Sequence, residues 1–316
     1  MAKRQSHNWL GGGVPLRGMN TYLSRYWQLY AMLLFPVVYF VIFKYGPMYG
    51  VTIAFKNFNF FQGINKSPWI GLDTFRQIFK MDSFYLALRN TFMLNFLDLV
   101  FSFPAPILLA LMLNELRTIW FKKISQTILY LPHFISWVII GGIVYQAFST
   151  NSGMVNHLLG NFGIGPIPFL SDKYYWLLTY LGTGIWQSAG WGTIIYLAAL
   201  TAINKELYEA ADVDGAGRLA KIWNITLPGI RSTIVVLLVL KLGEMVQIGF
   251  DRPFVIGNVT VADFSQVLST FVYKMGMQTG EYSVATAVGF FQAVVGLVFI
   301  LTSNYISKKT TDEGII

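Results

Sequence analysis

Cysteine is absent from this chain, which leaves no disulfide, thiolate metal site or cysteine nucleophile available. Charge is scarce. Asp, Glu, Lys and Arg make up 12% of the 316 residues, about half the share of an ordinary soluble domain. Histidine is nearly missing, and His7, His133 and His157 stand apart with no HExxH spacing, so no metal site is expected. His133, directly after Pro132, is expected to satisfy a local hydrogen bond. No GxxxxGK[ST] run occurs, so this chain has no loop of its own to cradle nucleotide phosphates. No Ser–His–Asp arrangement or nucleophile elbow is present, and no catalytic residue is expected. Gly11-Gly12-Gly13 lacks a flanking strand and helix and reads as flexible tail. The basic residues form no extended stripe, which argues against nucleic acid as a partner.

What is abundant is apolar. Hydrophobic residues make up 54% of the chain and aromatics 16%, with a mean hydropathy of +0.52. The expected class is an all-α polytopic membrane protein. Six apolar runs, Trp27–Tyr45, Thr91–Leu113, Ile128–Phe148, Tyr175–Ile203, Thr233–Phe250 and Val284–Ile306, can each cross roughly 30 Å of hydrocarbon at about 1.5 Å per residue. They are far too long for barrel strands, so helices are expected. The first run is followed by Lys44 with no small-residue cleavage pattern, so it is expected to remain as a span. Thirteen of the 23 lysines and arginines fall in the N-tail, the 114–127 and 204–232 loops and the C-tail. By the positive-inside rule both termini face the cytoplasm. The layout is a tail over 1–26, a membrane domain over 27–306, and a short charged tail over 307–316. Lys3, Arg4, Arg17 and Arg25 with Trp9, Leu10, Tyr22, Tyr26 and Trp27 are candidate headgroup contacts, and a flexible solvated tail over residues 1–14 is the equal alternative. Residues 46–90 are too long and aromatic for a simple connector and are expected to form a folded outer cap.

One polar stretch interrupts the apolar pattern. It runs Glu209-Ala210-Ala211, three residues, Gly215, nine residues, then Ile225-Thr226-Leu227-Pro228. The spacing predicts a helix from about Lys205 to Asp212, a turn at Gly215 where a glycine can take positive φ, and a second helix from about Gly217 to Thr226. Pro228 resets the chain before the next apolar run. This pattern resembles the EAA loop of the permease subunits of ABC importers, and every signature position is filled. Two further stretches, Lys44–Lys56 with Ser67–Phe75 and Tyr130–Trp137, resemble the LplB-like group of oligosaccharide permeases. The resemblance implies a type I ABC importer permease fold of six transmembrane helices. It also implies a bacterial inner-membrane location, a second permease as heterodimer partner, two ATPase subunits and an extracytoplasmic solute-binding protein. ATP and Mg²⁺ would sit on the ATPase, with no cofactor on this chain. The substrate implied is an oligosaccharide, including uronate-containing ones such as alginate or pectin fragments. The loop over 204–230 would be the coupling element, with Glu206, Glu209, Ala210, Ala211, Asp214, Gly215, Ile225, Leu227 and Pro228 as ATPase-coupling residues. Glu209 is the candidate for an ion pair with a basic residue of the ATPase.

Polar residues at membrane depth are the other signal, because a charge at a helix centre costs about 2.5–3.5 kcal/mol on insertion scales. Asn95, Asp98, Trp186, Gln187, Ser188, Trp191, Glu244 and Gln247 are candidates for the solute path, the tryptophans as sugar-stacking faces and the amides as hydroxyl partners. The same residues suit a structural network that fixes helix pairing, and both readings stand. Lys241 can offset Glu244 on its own helix or pair with Asp98 from another. Pro104 and Pro106 are expected to kink span two. A secondary transporter of small solutes, an ABC permease for a non-sugar solute and a membrane-embedded enzyme remain as alternatives. The first needs inverted repeats and the last a clustered acid–base set, and neither is evident.

Overall fold

The computed structural model describes residues 16–311. The N-terminal candidates Lys3, Arg4, His7, Trp9, Leu10 and Gly11–Gly13, and the end of the C-tail from Asp312, lie outside the described residues. The chain divides into two units, one ending at Thr52 and one beginning at Ile53.

The first unit is a helical rod. Helix α1, Leu16–Phe40, carries a break at Tyr26 and holds Pro36. It runs into a π-turn at Val41–Tyr45. From Ser24 on, its side chains are almost all exposed, Phe35 and Phe43 among them. A helix this apolar all round belongs in lipid or against another protein.

In the second unit the elements are α2 (Asp82–Asn114), α3 (Ile119–Tyr130), α4 (Trp137–Phe148), α5 (Lys173–Thr201), α6 (Lys205–Val213), α7 (Arg231–Gly243), α8 (Asp251–Ile256) and α9 (Tyr282–Thr311). Residues 53–81 are folded as well. Lys56 bridges to Trp69, Phe55 stacks on Trp69, and Gly63 and Gly71 turn at positive φ. Ala54, Ile78 and Phe84 share a core with Phe271 and Val288.

Proline 104 does not break α2. The chain takes up its missing amide with a π-turn over Asp98–Ser102, where the Phe103 amide donates to the Asp98 carbonyl. Small residues then set how closely helices approach. A Cβ on Gly190 of α5 would lie 1.8 Å from the Leu129 carbonyl oxygen of α3, and one on Gly192 would lie 2.9 Å from Pro106 of α2.

Two expected runs are not single helices. The run 128–148 breaks at Leu131–Phe134, and the helices on either side differ in direction by 101°. Pro132 and the Ser136 cap, which accepts from the Ile139 amide, explain the restart. The run 233–250 ends as a helix at Gly243 and resumes only at Asp251. Among the described residues three helices are long and apolar enough to cross a membrane, or five if each of two bent pairs, Ile119–Phe134 with Trp137–Phe148 and Arg218–Gly229 with Arg231–Gly243, forms one span. Helix α5 has 29 residues, enough for about 43 Å. Its middle is diluted by Gly182, Gly184, Gln187, Ser188, Gly190 and Gly192.

Candidate functional site: a polar cavity and an exposed helical loop

The break after Gly243 creates the polar site. A helix end at membrane depth exposes carbonyls that water cannot satisfy. Side-chain amides from neighbouring helices meet them instead. Asn95 Nδ2 of α2 donates to the Met245 carbonyl at 2.9 Å, and Gln292 Nε2 of α9 donates to the Val246 carbonyl at 3.0 Å. The unwound stretch Glu244–Phe250 is thereby held open beside α2 and α5.

A cavity of about 260 Å³ lies there. Six of the expected path residues line it: Asn95, Asp98, Gln187, Ser188, Glu244 and Gln247. The fold thus brings together groups 152 residues apart in sequence, Asn95 to Gln247. The two tryptophans are not among its lining. Trp186 faces an apolar cavity with Ile140, Val144 and Leu178. Trp191 stacks on His133 at 4.7 Å with the rings nearly parallel. His133 therefore uses its ring face, and its Nδ1 has no hydrogen-bond partner among the described residues. The local hydrogen bond expected of it is absent.

Asp98 pairs with Arg252, not with Lys241. Arg252 Nη1 lies 3.0 Å from Asp98 Oδ2 and 3.3 Å from Oδ1, and Ser102 Oγ donates to Oδ1 at 2.9 Å. Arg252 Nη2 donates to the Tyr180 carbonyl at 2.6 Å, and the guanidinium lies 3.6 Å from the Tyr180 ring centroid. A planar guanidinium can bridge a carboxylate, a carbonyl and a ring at once, whereas an ammonium cannot. Gly184 makes room, since a Cβ there would lie 2.4 Å from the guanidinium carbon. Lys241 pairs instead with Glu244 on its own side at 3.5 Å. Arg252 was missed because it falls just past an apolar run and reads as a loop cation. The signal that could have found it was Asp98 itself, a buried carboxylate in need of a partner.

The lining residues thus fall into two groups. Asn95 and Asp98 are consumed by helix pairing. Gln187 reaches the His133 carbonyl at 3.4 Å and Ser188 the Gly184 carbonyl at 2.7 Å. Glu244, Gln247 and Asp251 are exposed to the cavity. Such a site can hydrogen-bond a hydroxylated solute.

The second site is the polar loop. Asn204 caps α6, accepting from the Glu206 amide at 3.0 Å. At the far end Gly215 has φ +74°, the Ala216 amide donates to the Ala211 carbonyl and the Gly215 amide to the Asp212 carbonyl. This closure satisfies the last carbonyls and needs the left-handed glycine. The second helix begins at Arg218 and passes through a π-turn at Ile222–Thr226. Two contacts clamp the two arms, Tyr208 Oη to Thr226 Oγ1 at 3.0 Å and Lys221 to Asp212. No side chain of α6 is buried, and Val213 is 89% exposed. Glu206, Glu209, Ala210 and Asp214 are exposed and Ala211 half-buried, while Ile225 and Leu227 are half-buried on the second arm and Pro228 is exposed.

Residues 89–312 match the family described as binding-protein-dependent transport system inner membrane component. The chain is 46% identical over 287 residues to the polygalacturonan/rhamnogalacturonan transport system permease protein YteP of Bacillus subtilis, covering 91% of this chain and 89% of that one. It is 45% identical over 293 residues to protein LplB of the same organism, covering 93% and 92%. Among solved structures it superposes with a TM-score of 0.85 and 42% identity on a chain of a bacterial alginate ABC transporter in complex with an alginate pentasaccharide-bound periplasmic protein, covering 93% of this chain and 99% of that one. The all-α fold agrees with this match, and the chain belongs to the binding-protein-dependent inner-membrane components, the permease subunits of ABC importers.

Proposed function

We propose that this chain forms, with a second and different permease subunit, the membrane path for an oligosaccharide delivered by an extracytoplasmic solute-binding protein. Two ATPase subunits holding ATP and Mg²⁺ would drive it. The observation that carries the reading is α6, a nine-residue helix with no buried side chain, clamped to the second arm that leads into α7. A short helix left bare by its own chain is stable in water only poorly, and a partner surface accounts for it. Glu209 would pair with a basic residue of the ATPase, and Ala210 and Ala211 would sit in its cleft. Closure of the ATPase pair would then move α6, and α7 with it, and rock the spans around the polar cavity. A secondary transporter or a membrane-embedded enzyme leaves α6 without a role.

The orientation follows the positive-inside count, with both tails and the loop over 204–230 cytoplasmic and residues 46–90 as the outer cap. Counting α5 and α7 as spans beside the three long helices and the bent α3–α4 pair gives six. The sugar class rests on the relatives, whose names specify polygalacturonan/rhamnogalacturonan and alginate, all of them uronate polymers. Within this chain Glu244, Gln247 and Ser188 suit sugar hydroxyls. Lys241 is the cation of the lining open to a carboxylate, because its pair with Glu244 is exposed whereas the Arg252–Asp98 pair is buried. Trp186 and Trp191 would stack sugar only where a second subunit or another conformation brings them to the path.

Gly215→Pro and Glu209→Lys test the coupling. Proline fixes φ near −65° where Gly215 has +74°, so the hinge cannot close. Both variants are expected to insert and assemble normally yet lose uptake. Wild-type uptake at normal subunit levels would overturn the proposal.

A further inference from the structure

A second pair of cavities lies away from the polar path, where the C-terminal end of α2 meets the polar loop. One is polar, about 560 Å³, and lined by Arg117, Lys205, Tyr208, Arg218 and Lys221 together with Glu115. The other is apolar, about 640 Å³, and lined by Ile107, Leu108, Met112, Leu219, Trp223 and again Glu115. The shared lining residue makes them two halves of one amphipathic groove. Lys221 is committed to Asp212. Among the described residues Arg117, Lys205 and Arg218 make no ion pair, so the polar half carries three uncommitted cations against one carboxylate. In the apolar half Leu219 and Trp223 are 73% and 69% exposed. A few residues on from Arg117 in the chain, at the start of α3, Trp120 and Phe121 are exposed next to Lys122 and Lys123. Aromatic and cationic residues side by side mark the headgroup level of a bilayer.

We propose that this groove binds an anionic phospholipid, with its phosphate on Arg117, Arg218 and Lys205 and an acyl chain along Leu108, Met112, Leu219 and Trp223. Arginine forks match phosphate oxygens, and basic pockets among membrane helices on the cytoplasmic side hold anionic headgroups. The inference rests on the cytoplasmic placement of the loop proposed above. The lipid would brace the second arm of the coupling loop against α2, so that the mechanical link works best in an anionic leaflet.

The test uses the full complex of permeases and ATPases in detergent, observed by native mass spectrometry with added phosphatidylglycerol or phosphatidylcholine of matched chains. Phosphatidylglycerol is expected to stay bound and phosphatidylcholine not. Arg117→Gln with Arg218→Gln is expected to lower the phosphatidylglycerol adduct by about tenfold, the loss of at least one charge-assisted hydrogen bond. Leu219→Asp should lower it as well, through the apolar half. If the double variant fails to assemble, Lys205→Gln carries the same comparison. An unchanged adduct in the variants, equal retention of the two lipids, or inorganic phosphate that displaces phosphatidylglycerol and binds Leu219→Asp normally would overturn the site. The last result would mean a free-anion pocket, and the first two that a partner chain fills the groove. Sugar-stimulated ATP turnover of the same preparation reports on the permease reading separately. An active complex with no lipid preference sinks only the lipid site.

Discussion

Removing the Arg252 guanidinium should damage the protein more than removing any single residue that faces the cavity. Arg252 and Asp98 side chains are only 14% and 12% exposed, so neither charge has water to fall back on. In Arg252→Gln the Asp98 carboxylate keeps only Ser102 Oγ at 2.9 Å, and the Tyr180 carbonyl loses its 2.6 Å donor. Breaking one side of a buried pair costs about 3–5 kcal/mol, because the remaining charge is uncompensated. The lost ring contact with Tyr180 adds up to about 2 kcal/mol. Asp98→Asn alone should cost less, since Arg252 retains Tyr180. The double variant Asp98→Asn/Arg252→Gln leaves two neutral amides that can hydrogen-bond each other. It should therefore cost less than the two single variants summed, by an interaction term of about 0.5–3 kcal/mol. The assay is thermal unfolding of the detergent-purified complex, read by tryptophan fluorescence, with subunit abundance in the membrane as a second readout. Strictly additive effects would refute the reasoning, and so would an Arg252→Gln protein as stable as the unmodified one. Either result would mean that the ion pair contributes nothing beyond two independent side chains.

Two further outcomes follow from the packing. Gly190→Ala should lower the unfolding temperature by the equivalent of about 1–3 kcal/mol or more, because the new Cβ meets the Leu129 backbone rather than a movable side chain. Gly142→Ala, with open space at that position, should be neutral in the same assay. Asn95→Ala should leave the Met245 carbonyl without its donor, at about 1–3 kcal/mol. In a chain with no native cysteine, a single Gln247→Cys probe should then label faster as the unwound segment loosens, and an unchanged labelling rate would exclude Asn95 as its anchor.

The polar loop was legible almost to the residue. Its helix start at Lys205, the Gly215 turn and the second arm all occur where the spacing puts them. These features are local: a cap, a left-handed glycine and a proline act within a few residues, so their order along the chain is enough. The membrane class was equally local, since long apolar runs carry it. The runs 128–148 and 233–250 were misread as continuous because hydropathy averages over a window. A break costs nothing in hydropathy when the freed carbonyls find donors elsewhere.

Which donors those are could come only from tertiary structure. Asn95, Gln292 and Arg252 lie far from the groups they satisfy, and no spacing rule links Asp98 to a cation 154 residues away. The sequence alone determined that polar groups would be buried at membrane depth and that an exposed hinge would join two spans. The tertiary structure decided which of those polar groups hold helices together and which stay exposed in the cavity. The physical reason is that burial makes pairing compulsory, while the choice of partner is made by helix packing in three dimensions.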